Sequence, residues 1–482
     1  MQPVTAAEDR RKRECVGIVC AGFAPCLLPT ACCVLITNGG IKMSGIEPIS
    51  EKERNLGGWD FFLLWAGAAV SLAEIWAGGL IVPLGLGLGI WAILLGHLIG
   101  NTPFALGGLI GSRWGIPTMV SVRPSFGIKG SYFAAALNVI QLIGWTAVML
   151  IVCGAAADAI SKFYGFSNIN LWIILSGVIT TLWALVGHRI WKWLERISVV
   201  ALLVLCLAMT YLVFEEYGWG RLIQVPRQRG FPFMVGMDLV IAMPISWLPL
   251  VSDYSRFATD SKSSFWGTWM GYFIVSSWMY FIGLAASLAT PSPDPSGVVM
   301  NLMLKFGWAI PALVIVLFST FTTTFLDIYS TAISALNIVP KLGERKGVII
   351  GGVLGTATAL IFPTLLNYEH FLLFIGAMFC PLFGIVLVDY FFLRKGSLAV
   401  EDLYRMDGKY RFWKGVNPLA ILSWVIGFAI YLGFSPLLME KVIGIKAVFP
   451  WPIGSSLPSM IIAGAVYWVI RDTSLFFSKN QK

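Results

Sequence analysis

Two carboxylic acids lie deep inside apolar stretches of this chain, and each needs a physical reason to be there. Glu74 sits in the middle of an apolar run that also holds Ser71, and Asp327 follows the segment Phe318-Ser319-Thr320-Phe321-Thr322-Thr323-Thr324-Phe325-Leu326. An ionisable side chain near the centre of a bilayer costs about 2.5–3.5 kcal/mol on insertion scales, so it requires a partner, a wet cavity or a task. For Glu74 two readings stand side by side: a structural hydrogen bond to a neighbouring broken helix, or a contact with a substrate or proton. For Asp327 function is the favoured reading. Asp158, Asp253 and Asp389 fall nearer the ends of apolar runs, where capping or an interfacial pair accounts for them.

The stretch before Asp327 carries five hydroxyls within residues 319–324, Thr320 and Thr323 among them. Lipid contact would not reward such a concentration. Hydroxyl oxygens, together with carbonyls released by an unwound helix, make a neutral cage suited to a dehydrated sodium ion. Bonding of each Thr to the preceding turn of its own helix is the alternative. A third group, Asn138, Gln141 and Trp145, places Gln141 and Trp145 one helical turn apart on one face. An indole there can stack a heteroaromatic ring, worth about 1–3 kcal/mol per base, while amides and carboxylates read ring nitrogens and exocyclic amines. Taken alone, a Trp in a chain with 20 of them is packing or an interfacial residue.

These residues must be held by membrane helices. Of 482 residues, 57% are hydrophobic and 12% charged, with mean hydropathy +0.79; soluble domains carry roughly twice that charged fraction. A water-soluble enzyme is excluded on that balance. Twelve apolar runs follow from Trp59 onward, at 59–85, 87–111, 130–159, 169–187, 195–214, 232–252, 265–289, 306–337, 347–363, 367–392, 416–435 and 449–470. With residues 43–58 placed inside, the inside segments hold 22 Lys and Arg and the outside segments 7, which puts both termini in the cytoplasm. The basic residues are spread over these segments rather than gathered in one stripe, so the net charge of +9 reads as topology and not as nucleic-acid binding.

Two runs are interrupted. The first contains Gly67, Gly78, Gly79 and Pro83 around Ser71 and Glu74, and the sixth contains Pro244 and Pro249 around Ser246 and Trp247. Broken helices at equivalent places of two halves mark the binding site of many secondary transporters. The expected fold is therefore an all-α polytopic membrane protein of about twelve helices. Residues 59–214 form a first five-helix repeat, 232–392 an inverted second one, 416–470 two appended helices and 471–482 a cytoplasmic tail.

Other signals are negative. The basic leader and Cys-rich apolar stretch in residues 1–42 resemble neither a clean signal peptide nor an anchor, and read as an upstream artefact with translation starting at Met43. The eight Cys show no disulfide or zinc spacing, and His97, His188 and His370 are too dispersed for a metal site. Gly85 to Gly89 (GLGLG) joins two membrane runs and is no dinucleotide fingerprint; no P-loop or nucleophile elbow occurs. No enzyme is expected.

Several segments together resemble the nucleobase:cation symporter-1 family, and within it hydroxymethylpyrimidine transporters related to cytosine permeases. They are Gly57-Gly58-Trp59-Asp60 with LWAGAAVSLAEI (64–75), SVRPSFGIKGSY (121–132), NVIQLIGWTAVM (138–149), SDYSRFA (252–258) and TTTFLDIYSTAISALNI (322–338), within residues 57–394. The resemblance implies a LeuT-like inverted-repeat fold and symport of a small heterocycle with sodium or protons through the inner membrane. It makes Trp145 the aromatic platform, with further substrate contacts at Ser246 and Trp247. Thr322 and Thr323, with carbonyls near Gly67 and Val70, would hold sodium. Relatives often carry Gln where this chain has Met149, and Asn after the hydroxyl pair where it has Thr324 and then Asp327. A carboxylate such as Asp327 or Glu74 would suit a 4-aminopyrimidine, whose exocyclic amine donates. Purines, hydantoin and allantoin-like rings are the alternative substrates, and a channel the alternative class. No cofactor other than the coupling cation is implied, and no nucleic acid. The oligomeric state is left open.

Overall fold

The computed structural model describes residues 46–186, 191–290, 299, 303–304, 307–361, 368–446 and 453–480. The leader before Met43 and His188 fall outside them. The described chain is helical, without strands; two isolated bridges join Leu56 to Ala258 and Trp413 to Val416. Hydrocarbon supplies no hydrogen-bond partners, and a helix satisfies its backbone within one segment.

Helix occupies every predicted run. The first is two helices, α1 (Gly58–Ala69) and α2 (Leu72–Leu80). Next come α3 (Gly85–Trp114), α4 (Gly130–Lys162), α5 (Ile169–Val186) and α6 (Trp191–Glu216). The sixth run is again two pieces, α7 (Phe233–Trp247) and α8 (Val251–Ser255). Then follow α9 (Ser261–Ala289), α10 (Ala309–Ile338), α11 (Glu344–Ile361), α12 (Tyr368–Val388), α13 (Pro418–Phe434) and α14 (Ser456–Asn480).

By length and composition, five described helical stretches can each cross a bilayer, or seven if two sharply bent pairs are each taken as one span. This is fewer than the twelve runs of the sequence, for local reasons. The sixth run is divided at its break, α2 and α3 together form one 43-residue stretch, and α11 opens on Glu344, Arg345 and Lys346.

Packing relates the two halves. Helix α9 packs on α1 as α7 packs on α3; α4 packs on α5 as α10 on α11; α5 packs on α10 as α11 on α4. The outer members follow the same rule, α6 lying on α9 and α10 as α12 lies on α3 and α4. Each pair maps onto the other when the span number advances by five. Five is odd, so related spans cross in opposite senses, as an inverted repeat requires. Helices α13 and α14 pack on each other and on α12. Buried Asp238 of α7 accepts from the N–H groups of Ser455 (2.7 Å) and Ser456 (3.0 Å), capping the start of α14.

Close approach of α2 and α9 rests on two glycines. A Cβ on Gly78 would run into the carbonyl of Tyr280, and one on Gly283 into the carbonyl of Ile75. Neither obstacle is a flexible side chain, so the backbones themselves would have to part. Such small-residue contacts are how membrane helices come together when no hydrophobic force drives them. Gly283→Val is expected to lower the melting temperature and the monodisperse yield in detergent, with an overpacking cost of about 1–3 kcal/mol or more; a variant melting like the parent contradicts this packing.

Candidate functional site

The first break follows from local chemistry. Val70 leaves the helical region (ψ 83°), and its N–H reaches back to Ala66 O (3.2 Å) and Gly67 O (3.3 Å). Ser71 is extended and caps α2, its Oγ accepting from the Glu74 N–H at 3.3 Å. The carbonyls of Ala68 and Val70 receive no backbone N–H. The end of α1 thus presents carbonyls and the start of α2 presents N–H groups, opposite partial charges a few residues apart.

The second break has a different cause. Pro244 and Pro249 carry no N–H, so helix bonds fail on both sides of Trp247. The chain tightens into three-residue turns: Leu248 N–H donates to Ile245 O (3.2 Å) and Leu250 N–H to Trp247 O (3.0 Å). In regular helix Leu250 would serve the Ser246 carbonyl. Gln141 of α4 takes that place, its Nε2 donating to Ser246 O at 2.9 Å and to Asn138 Oδ1 at 2.8 Å. Asn138 in turn donates to Ser334 Oγ of α10 at 2.8 Å.

Between the breaks lies a cavity of about 420 Å³ of empty space, lined by Ser71, Glu74, Trp145, Met149, Ser246, Trp247, Thr323 and Asp327 with Ala68, Ala73, Leu142, Met243 and Leu250. All eight proposed substrate residues except Gln141 are among the lining; Gln141 sits behind it as a brace on α7. Of the proposed cation ligands, Thr323 is among the cavity lining, as is Ala68 at the end of α1. Gly67 and Val70 flank Ala68 in the chain without lining the cavity. Thr320 is turned away, its hydroxyl donating to Val316 O at 2.7 Å, and Thr324 likewise donates to Thr320 O. The Thr322 side chain lies outside the described residues.

The walls are aromatic. Trp145 is 8% exposed and meets the rings of Tyr368 and Phe371 edge to face, with centroids 5.9 and 5.3 Å away. Trp247 packs edge-on against Trp65. The two carboxyl groups differ. Each Glu74 oxygen has a hydroxyl partner, Oε1 the Tyr272 Oη at 2.5 Å and Oε2 the Ser276 Oγ at 2.8 Å. Asp327 is 5% exposed, and its Oδ2 is buried without a hydrogen-bond partner. Glu74 is thus hydrogen-bonded to the continuous helix α9, not to a broken one, and also lines the cavity.

The sequence reading missed Tyr272, Ser276 and His97, which stand behind Glu74. Tyr272 and Ser276 lie four residues apart in an apolar run, the spacing of one helix face, and that signal was available. The carboxylates assigned to span ends behave as expected. Asp389 pairs with Arg394 (2.6 Å), Asp158 with Lys162 (2.8 Å), and Asp253 accepts from the Thr118 N–H (2.9 Å).

A helical membrane protein whose two interrupted helices enclose a small chamber with aromatic walls is, as a class, a secondary transporter of the five-plus-five type. Residues 48–451 match the family described as permease for cytosine/purines, uracil, thiamine, allantoin, and the chain belongs to that family. It is a transporter of small nucleobase-like substrates and not an enzyme. Among relatives, it is similar to the cytosine permease of Escherichia coli K12, at 30% identity over 74% of this chain and 81% of that one. It is similar also to the hydantoin permease of Microbacterium maritypicum, at 26% identity over 80% of this chain and 82% of that one. In fold it resembles Mhp1, a nucleobase-cation-symport-1 family transporter solved closed with bromovinylhydantoin bound, with TM-score 0.74 and 23% identity over 89% of this chain and 94% of that one.

Removing the Trp145 ring removes a wall of the chamber while leaving the backbone breaks in place. Trp145→Ala is expected to weaken ligand binding by about 1–3 kcal/mol, roughly 5- to 150-fold, with little change in melting temperature of the unliganded protein. Calorimetric or scintillation binding on the purified variant measures it; unchanged affinity removes the indole from the site.

Proposed function

We propose that this chain is a symporter of the cytoplasmic membrane that imports a 4-aminopyrimidine, hydroxymethylpyrimidine or cytosine, driven by a sodium or proton gradient. The observation that carries the substrate choice is the Asp327 carboxyl, buried in the cavity with Oδ2 unpartnered. Such an acceptor is expensive to leave bare and matches the exocyclic amine of these rings. Trp145 supplies the flat face for the ring, and Ser246 and Trp247 sit at the second break opposite it. A cation held between the end of α1 and Thr323 would order α1 against α10 and raise affinity for the ring. By linkage the ring raises affinity for the cation by the same factor. The excess of Lys and Arg in the inside segments supports cytoplasmic termini.

A thermal-shift screen of purified protein against pyrimidines, purines, hydantoin and allantoin, each with and without sodium, tests this reading. Cytosine and 4-amino-5-hydroxymethyl-2-methylpyrimidine are expected to stabilise the protein more than uracil. A shift confined to purines, hydantoin or allantoin overturns the substrate choice, and flux that never saturates overturns symport. Asp327→Asn is expected to weaken aminopyrimidine binding by about 1.5–3 kcal/mol, the scale of a hydrogen bond to a charged group, and to shift preference toward rings with a carbonyl at that position. Unchanged ranking in the variant would contradict the amine contact.

A further inference from the structure

Behind the cavity, Glu74 of α2, Ser276 of α9 and His97 of α3 form a buried chain of short contacts, and its hydrogens can be counted. His97 Nδ1 lies 2.8 Å from the Ile93 carbonyl oxygen, which can only accept, so Nδ1 carries a hydrogen. His97 Nε2 lies 2.6 Å from Ser276 Oγ, and the same oxygen lies 2.8 Å from Glu74 Oε2. Each contact needs a hydrogen between its atoms, yet the serine hydroxyl has one to give. Tyr272 uses its own on Glu74 Oε1. The missing hydrogen must sit on Glu74 Oε2 or on His97 Nε2. The chain is therefore a neutral acid beside a neutral imidazole, or a carboxylate joined through Ser276 to an imidazolium. Both forms hold the same number of protons and no net charge. Without that proton, two acceptors face each other at 2.6 or 2.8 Å in a site where Glu74, Ser276 and His97 are 1%, 0% and 0% exposed.

We propose that Glu74, Ser276 and His97 hold one exchangeable proton, and that this is the proton carried with the substrate ring. The inference deepens the symporter reading above and rests on it for the cargo. Glu74 lines the ring cavity, so the relay opens to the transport path at one end and stops at the Ile93 carbonyl at the other.

The groups facing the relay cannot replace the proton. Tyr272 and Tyr280 come from α9, the latter edge-on to the His97 ring at 5.0 Å. Tyr368 of α12 donates to the Ala73 carbonyl, and Asp327 of α10 lies on the same cavity as Glu74. The cavity-lining residues of α1, α4 and α7 include no ionisable side chain. With the relay deprotonated, Glu74 would be a buried carboxylate with no basic side chain in the cavity lining, and closing the chamber over a ring would desolvate it further. With the proton in place the Glu74 side of the chamber is neutral, and the amine of the substrate meets the bare Asp327 oxygen. Proton and ring therefore favour each other, which is the condition for symport.

The full chain in sodium-free proteoliposomes, loaded against radiolabelled cytosine under an imposed inward proton gradient, provides the test. Wild type is expected to concentrate cytosine above equilibrium. In His97→Gln the side-chain amide supplies a permanent N–H to Ser276, so no extra proton is required. Glu74 then stays ionised, so that variant should bind cytosine more weakly, with an affinity that no longer varies with pH, and should lose gradient-driven accumulation by about tenfold or more. Accumulation equal to wild type, or wild-type accumulation that follows sodium alone, overturns the proposal. A ligand-free measurement stands beside it: infrared titration of the purified protein should show a buried carboxyl or imidazolium proton that disappears in both His97→Gln and Glu74→Gln. Spectra identical to wild type overturn the relay. Failure of every pyrimidine to bind would sink the symporter reading alone, because the infrared result still decides the proton.

Discussion

A backbone that leaves the helix at membrane depth must find partners for its N–H and C=O groups, because lipid offers none. Everything else in this molecule answers that constraint. At the second break the protein answers with a side chain: Gln141 reaches across from α4 and takes over the Ser246 carbonyl that proline geometry has released. At the first break it answers only in part. Ser71 caps the start of α2, while the carbonyls of Ala68 and Val70 accept no backbone bond. Of these two residues Ala68 lines the cavity, and that difference between the halves separates a braced break from an open one. The α7 side is braced and shapes a wall, whereas the α1 side keeps carbonyls without a backbone donor.

Holding such a break in place takes a rigid neighbour, and α9 supplies it. The glycines at 78 and 283 let the backbones of α2 and α9 come close enough for Tyr272 and Ser276 to reach Glu74. The same proximity brings His97 of α3 into line behind Ser276. A side chain with a larger Cβ substituent at either glycine would act on stability and on the proton relay together, since one contact serves both. Packing and polar chemistry are thus a single feature of this bundle.

Much of this was legible in residue order. Apolar runs of bilayer length, with prolines and glycines interrupting the first and sixth, sufficed for the helix order and for the place of the breaks. Trp145, Glu74, Asp327, Ser246, Trp247 and Thr323 do converge on one chamber. What failed to appear was anything depending on rotation about a helix axis. Thr320 and Thr323 are a single turn apart, yet one bonds its own helix and the other lines the cavity. Gln141 shares a face with Trp145 but ends one layer behind it, because its amide is drawn to the Ser246 carbonyl. His97 offered only its distance from the other two histidines, since Ser276, the side chain it meets, is 179 residues away along the chain.

The two carboxyl groups show why burial alone assigns no role. Glu74 and Asp327 are both inside the bilayer span and both line the same chamber, but one has a hydroxyl partner on each oxygen and the other is short of one. A carboxylate whose oxygens are already served has little to offer a ligand beyond its charge, and that charge can be cancelled by a proton without moving an atom. A carboxylate with a bare oxygen must be served by whatever enters. On the proposed reading the two carboxyls of one small cavity divide the work: Glu74 would set the charge of the chamber, and Asp327 would select a donor. Neither function could be exchanged for the other by swapping residue types, because the distinction lies in the partners that α9 provides to Glu74 and that no neighbour provides to Asp327 Oδ2.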